Sequence, residues 1–387
     1  MPKTIVILGA GYAGLPAAHY ILKHQAAKLD LKVLLISPAE DYYWPVATPR
    51  AIIPDQMADD KIFYSIPTVF AKYPSSRFEF VLGKAEAWSP DKSSVLVAMN
   101  DGSSRTIEYH TIIVATGSRA MNNMPWKLVG DSATTHAALA KLRDGVKKAK
   151  SIVIGGGGAT GVEVAGELGY TYAKAGKKNI TLITSDTTVL EKRILDRVRT
   201  DAHNELKKLK VNLITSTKVT NVTPDAKGAT ILELTKLDGT TETIETDLFV
   251  PTWGMNFNSD FAPADMRLPN GRLKVTGTMQ ASGYENAFIV GDVADCEPLQ
   301  IIYAESQVKH VVTVLDQYFT SGGKVPDYVL RGTPTHVVSV GPGHAAGHFG
   351  SWKIWGWLLW YFKARTLGTD YALACAEGEK FIVIGSL

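Results

Sequence analysis

The sequence predicts an α/β protein with two Rossmann-type nucleotide-binding units, and three observations predict it. A short apolar run, a glycine cluster, a small-residue helix and a second apolar run occur at Ile5 to Ser37 and return at Ile152 to Thr184. Each copy fits the roughly 30 residues of one βαβ unit. After each copy the pattern turns to period-two strands broken by an Asp-Gly turn, Asp101-Gly102 in the first and Asp238-Gly239 in the second.

The 387 residues are too many for one ordinary α/β core. With 45% hydrophobic and 20% charged residues the chain is globular, without a disordered or low-complexity tract. A formal charge of +3 offers no basis for a nucleic-acid partner. Two cysteines, Cys296 and Cys375, cannot form a disulfide framework, and a reducing, cytoplasmic setting is expected. The run Ile5 to Leu8 is too short for a signal-peptide core, and Pro2 stands where myristoylation needs glycine. The longest apolar candidate, Ile354 to Phe362, is about half of the roughly 20 residues a bilayer span requires.

In the first unit the strand Ile5 to Leu8 runs into Gly9-Ala10-Gly11-Tyr12-Ala13-Gly14, a complete G-x-G-x-x-G. Gly9 permits the tight turn, Gly11 lets the backbone approach a pyrophosphate, and Gly14 lets the helix pack on the strand. The helix start then offers free N–H groups to the phosphates, and Pro16 falls in the first turn, where its missing donor costs little. The next strand ends at Ser37, where such units often carry an acid; Glu40 or Asp41 is the nearby carboxylate for an adenosine ribose. Ser94 to Asn100 and Arg105 to Ile113 read as a hairpin feeding a buried strand.

In the second unit the best register of the glycines is Gly156, Gly158 and Gly161, with Glu163 following on the helix. Glu163 is either a helix-start charge or a group that meets the bound nucleotide. The next strand ends at Thr184-Ser185-Asp186. A carboxylate at that end favours NADH and an arginine NADPH, so Thr-Ser decides neither. Lys192 and Arg193 either reach a 2′-phosphate or begin a solvated helix.

Three further segments complete a pattern: Val114-Ala115-Thr116-Gly117-Ser118, Pro251-Thr252-Trp253-Gly254, and Ile289-Val290-Gly291-Asp292-Val293-Ala294-Asp295. With the two glycine clusters they resemble the two-dinucleotide-binding-domain flavoproteins of the glutathione-reductase type. Within that group the chain is similar to the apoptosis-inducing-factor homologues of the ferroptosis-suppressor type and their fungal relatives, with type II NADH dehydrogenases more distant. The carrying residues are Ile36-Ser37-Pro38, Tyr43-Trp44, Ala47-Thr48-Pro49-Arg50, Gly161 to Glu167, Asn286-Ala287-Phe288, Pro298 and Tyr303-Ala304.

The resemblance implies FAD held by Gly9, Gly11, Gly14, Ser37, Ala85, Thr116, Gly117 and Asp292, with Asp292 on the ribitol chain. It implies NADH or NADPH held by Gly156, Gly158, Gly161 and Glu163. Glu163 then lies at the nicotinamide carboxamide or the flavin, and Arg50 either stabilises reduced flavin or forms a structural ion pair. The implied activity is hydride transfer from NAD(P)H to FAD and on to a small-molecule acceptor, a quinone or another. The alternatives are a tailoring flavoenzyme of secondary metabolism and a slow-turnover redox sensor. The implied organisation is an FAD domain at 1–120 and 251–325, an inserted NAD(P)H domain at 121–250, and a C-terminal region at 326–387.

Departures from the pattern carry information too. No C-x₄-C pair follows Gly14, so dithiol–disulfide reduction is excluded, and Cys296 is expected to be a buried structural thiol. His336, His344 and His348 lack the cysteine or carboxylate spacing of a metal site, and none is expected. The segment 352–363 holds Trp352, Trp355, Trp357 and Trp360. It either packs against the FAD domain or a homodimer partner, or lies on a membrane surface, where aromatics flanked by lysines suit the headgroup boundary.

Overall fold

The computed structural model describes residues 2–225 and 228–381. Lys3–Leu8 lies near the middle of an eight-stranded sheet. Leu31–Ser37 and Thr111–Val114 flank it in parallel, and Phe78–Ser89 and Tyr284–Ile289 pair outside those, also parallel. Apolar side chains on both faces of Ile5 to Leu8 are almost wholly buried, as a central parallel strand requires. Ser94–Met99 and Ser104–Glu108 extend one edge antiparallel, the predicted hairpin, and Thr111–Val114 is the buried strand it feeds.

A second sheet is formed by residues that lie, along the chain, between strands of the first. Ser151–Gly155 pairs in parallel with Asn179–Ile183 and Leu248–Pro251, and Asn212–Ile214 adds a fourth strand. A three-stranded meander, Thr217–Pro224, Thr230–Lys236 and Thr241–Thr246, packs beside it. The chain then returns to the first sheet at Tyr284–Ile289 and covers it with the long helix Ile301–Thr320.

The C-terminal region folds back over both parts. Thr335–Ser339, Ala345–Phe349 and Trp352–Lys353 make a small antiparallel sheet. Gly356–Leu359 continues into a π-helical turn, Trp360–Ala364, and the helix Thr369–Ala376 reaches the first glycine unit. There His19 shares 2.9 Å hydrogen bonds with the Ala376 carbonyl and the Tyr73 hydroxyl, and Trp44 donates to Leu367 O at 3.0 Å.

Candidate active site

The two glycine clusters fold alike. Gly9 has φ +99° and Gly156 has φ +105°, a conformation L-residues rarely adopt. A Cβ on Gly14 would sit 1.8 Å from Gly9 O, and one on Gly161 would sit 1.8 Å from Gly156 O. These glycines bring helix and strand into contact. At Gly11 and Gly158, by contrast, an added Cβ meets nothing within 4 Å, so the turn leaves open space in front of its backbone. Both helices begin without a side-chain cap, whereas Ser132–Lys148 is capped by Asp131, whose carboxylate accepts from Thr134 N at 2.7 Å. Uncapped N–H groups facing open space suit a pyrophosphate at each turn.

Around the first turn the structure gathers residues from distant parts of the chain. Thr116 Oγ1 donates to Asn258 O at 2.6 Å, and Asn258 Nδ2 donates back to Thr116 O at 2.8 Å. Gly117, with φ +63°, has open space around it. Ser37 is buried at the strand end, its Oγ accepting from Ala39 N at 3.2 Å. Ala85 lies at the register shift of Phe78–Ser89 against Ser94–Met99. Of the two carboxylates proposed for a ribose, Asp41 is engaged by His136 Nε2 at 3.2 Å, and Glu40 is exposed.

Asp292 is the most constrained acid here. Ser118 Oγ donates to its Oδ2 at 2.7 Å, and Lys127 Nζ lies 2.6 Å from the same oxygen. Burial alone would raise its pKa; Lys127 and Ser118, with Arg272 behind them, outweigh that and hold the carboxyl below its usual range.

The second turn has acids on its helix. Glu163 is buried and pairs with Lys363 at 2.7 Å, and Ser339 N approaches the same oxygen at 3.4 Å. One turn further on, Glu167 receives Arg50 bidentately, from Nε at 3.0 Å and Nη2 at 2.7 Å. Arg50 also donates to Arg365 O at 2.9 Å and Ala364 O at 2.8 Å. Its guanidinium is thus largely committed to protein oxygens, and it joins three parts of the chain. Thr184 is buried at the following strand end, and Asp186 pairs at 3.5 Å with the exposed Lys192.

Sequence reasoning missed Glu167, Lys363, Lys127 and Asn258. Glu167 had a signal, since it follows Glu163 by four residues and shares its helix face. The other three come from loops and the C-terminal region and had none.

Both cysteines are free, and burial pushes each thiol up to about 12, so both stay protonated near neutral pH. Cys296 is only half-buried and accepts from Gln307 Nε2 at 3.3 Å. Among the described residues no three potential metal ligands cluster. His348 shares its Nδ1 proton with Gly350 O, and His344 faces Asp201 at 3.5 Å.

The aromatic segment divides. Trp360 donates to Pro342 O at 2.8 Å, and Leu359 and Ala364 are buried. Packing of the remaining aromatics against the FAD domain, one of the expected outcomes, does not occur. Trp352, Trp355 and Trp357 are 77%, 71% and 66% exposed, and Tyr361 and Phe362 more than half. Trp355 and Trp357 stack on each other, centroids 6.3 Å apart. Among the described residues no helix is long and apolar enough to cross a membrane.

Known proteins match this arrangement. The chain is 35% identical to oxidoreductase ptaL of Pestalotiopsis fici over 92% of this chain and 94% of that one. It is 28% identical to ferroptosis suppressor protein 1 of Taeniopygia guttata over 94% and 93% of the two chains. Its fold matches the sulfide:quinone oxidoreductase of Aquifex aeolicus with a TM-score of 0.74 at 19% identity, covering 97% of this chain and 91% of that one. Residues 3–311 match the family model for pyridine nucleotide-disulphide oxidoreductases. The chain belongs to that family, as an FAD-dependent NAD(P)H oxidoreductase with the two-Rossmann-domain α/β fold.

Proposed function

We propose that this oxidoreductase passes electrons from NAD(P)H, through FAD, to a quinone. In this reading Gly9, Gly11, Gly14, Ser37, Ala85, Thr116, Gly117 and Asp292 hold FAD, and Gly156, Gly158, Gly161 and Glu163 hold the nicotinamide nucleotide. The FAD domain is then 1–120 with 251–325, and the inserted domain 121–250. The flavin, when bound, supplies the hydride and electron chemistry, and the protein supplies position and electrostatics. Glu163 orients the nicotinamide carboxamide, with Lys363 balancing its buried charge. Arg50 acts as a positioning residue, holding the helix Ala159–Leu168 and the turn Trp360–Ala364 against the FAD domain.

The observation that carries the reading is the pair of open glycine turns, each facing an uncapped helix start, with the Gly291-Asp292 segment beside the first of them. The quinone acceptor is supported by the likeness of the fold to a sulfide:quinone oxidoreductase and by the exposed rings of 352–362. Those rings suit contact with a membrane surface, from which an apolar acceptor is drawn. The test is anaerobic reduction of the purified yellow protein by NADH and by NADPH, followed by an acceptor panel. Bleaching of the flavin by either nucleotide, with fast reoxidation by a soluble quinone, is expected. Fast bleaching with no reoxidation by any quinone, but turnover on another small molecule, would overturn the quinone assignment.

A further inference from the structure

Lys127 belongs to the connection that carries the chain out of the first sheet towards the second. The connection is tied on both sides of it. Tyr43 Oη donates to Pro125 O at 2.8 Å, Trp126 Nε1 donates to Pro251 O at 2.9 Å, and Val129 N donates to Thr135 Oγ1 at 3.0 Å. The lysine is therefore delivered to one place, and that place is Asp292. The Asp292 side chain is 13% exposed and that of Lys127 31%.

The distribution of donors over the carboxylate matters. Lys127 and Ser118 both lie on Oδ2, and among the described residues no hydrogen bond reaches Oδ1. An ionised carboxylate has about four acceptor positions, and Oδ1 is not fully buried, so its share of them stays open to a donor from a ligand. Arg272 does not fill the gap. Its Nε donates to the Asp292 main-chain oxygen at 3.2 Å and its Nη1 lies 3.1 Å from Asp295.

We propose that Lys127 is a positioning residue for the flavin site: together with Ser118 it occupies Oδ2 of Asp292, keeps the carboxylate ionised, and leaves Oδ1 turned to accept a ribityl hydroxyl of FAD. This rests on the assignment of Asp292 to the flavin. The charged groups facing Asp292 are Lys127 from the connection and Arg272 from the return segment, the latter shared with Asp295. The sign of the pH effect follows. The folded carboxyl titrates below its ordinary value of 3.8, so its contribution to holding FAD is present above that value and lost as pH falls through the depressed one. Without Lys127, burial dominates and the loss moves to higher pH.

The test is FAD affinity, by titrating apoprotein with FAD and following quenching of flavin fluorescence, as a function of pH. The proteins are wild type, Lys127→Met, Lys127→Arg, Asp292→Ala and the Lys127→Met/Asp292→Ala double variant, with melting curves checking that each is folded. Lys127→Met should bind FAD about tenfold more weakly near neutral pH, with its acid limb moved up by about one pH unit. Lys127→Arg should restore most of both, and in the Asp292→Ala background Lys127→Met should add nothing. Wild-type affinity and acid limb in Lys127→Met, beside weak binding in Asp292→Ala, overturns the role of Lys127 and leaves the flavin assignment standing. Full affinity in Asp292→Ala sinks the assignment itself. A loss that persists undiminished in the double variant means that Lys127 acts on the fold and not through Asp292.

Discussion

The two glycine turns have nearly the same backbone, yet the helices behind them carry different cargo. Gly9, Gly11 and Gly14 repeat Gly156, Gly158 and Gly161 in conformation, close contact and open space. Behind the first, the helix Gly14–His24 has no acid, and its buried polar group is His19, stacked on Phe70. Behind the second, Glu163 and Glu167 stand one turn apart, each paired with a cation from elsewhere in the chain. The backbone device for a pyrophosphate is therefore generic, and side chains packed on the helix distinguish the units. A glycine motif alone says that a dinucleotide binds; its surroundings say which and to what end.

The largest effects should come from closing the turns. A valine at position 14 or 161 places Cβ within hard contact of a carbonyl oxygen, relieved only by moving the helix, at a cost above about 4 kcal/mol. Gly14→Val should lose FAD and its colour. Gly161→Val should stay yellow, but NADH should no longer bleach it. Absorbance spectra before and after anaerobic NADH read both outcomes. A colourless Gly161→Val protein with a native melting curve would reverse the assignment of the two units.

A smaller effect is expected where the second helix meets its cations. Arg50→Met leaves Glu167, 2% exposed in its side chain, without its partner. Losing one member of such a buried pair costs about 3–5 kcal/mol. The melting temperature should fall sharply, and Arg50→Met with Glu167→Leu should recover part of it, since the apolar pair no longer buries a lone charge. Unchanged melting with slower flavin reduction would instead give Arg50 a direct role at the cofactor.

The smallest stability effect should lie in the aromatic turn. Trp355→Ala with Trp357→Ala removes rings that touch mainly each other and solvent, within about 0.5 kcal/mol of neutral. Trp360→Ala, which also removes the bond to Pro342, should cost more, about 1–3 kcal/mol. The Trp355/Trp357 variant should nonetheless lose co-sedimentation with anionic vesicles at unchanged melting temperature. If wild type ignores vesicles but forms a dimer on gel filtration that this variant splits, the face is a subunit contact.

Much of this molecule was legible in one dimension. The period-two runs, the glycine spacing and the Asp-Gly turns are local, and local sterics settle what they form: a glycine with positive φ, a helix packed on its own strand, a hairpin. The motifs Thr116-Gly117 and Gly291-Asp292 also name the strand ends that meet at the first turn. What the tertiary structure alone decided is which charge meets which. Lys127 finds Asp292, Lys363 finds Glu163, and Arg50 finds Glu167 across separations of 117 to 200 residues. Neither spacing nor composition encodes such pairs, because ion pairing depends on where the connections and the C-terminal region are laid over the sheets. The same holds for the tryptophans: their clustering is plain in the sequence, but only the fold decides that Trp360 is held against Pro342 while Trp352, Trp355 and Trp357 face outward.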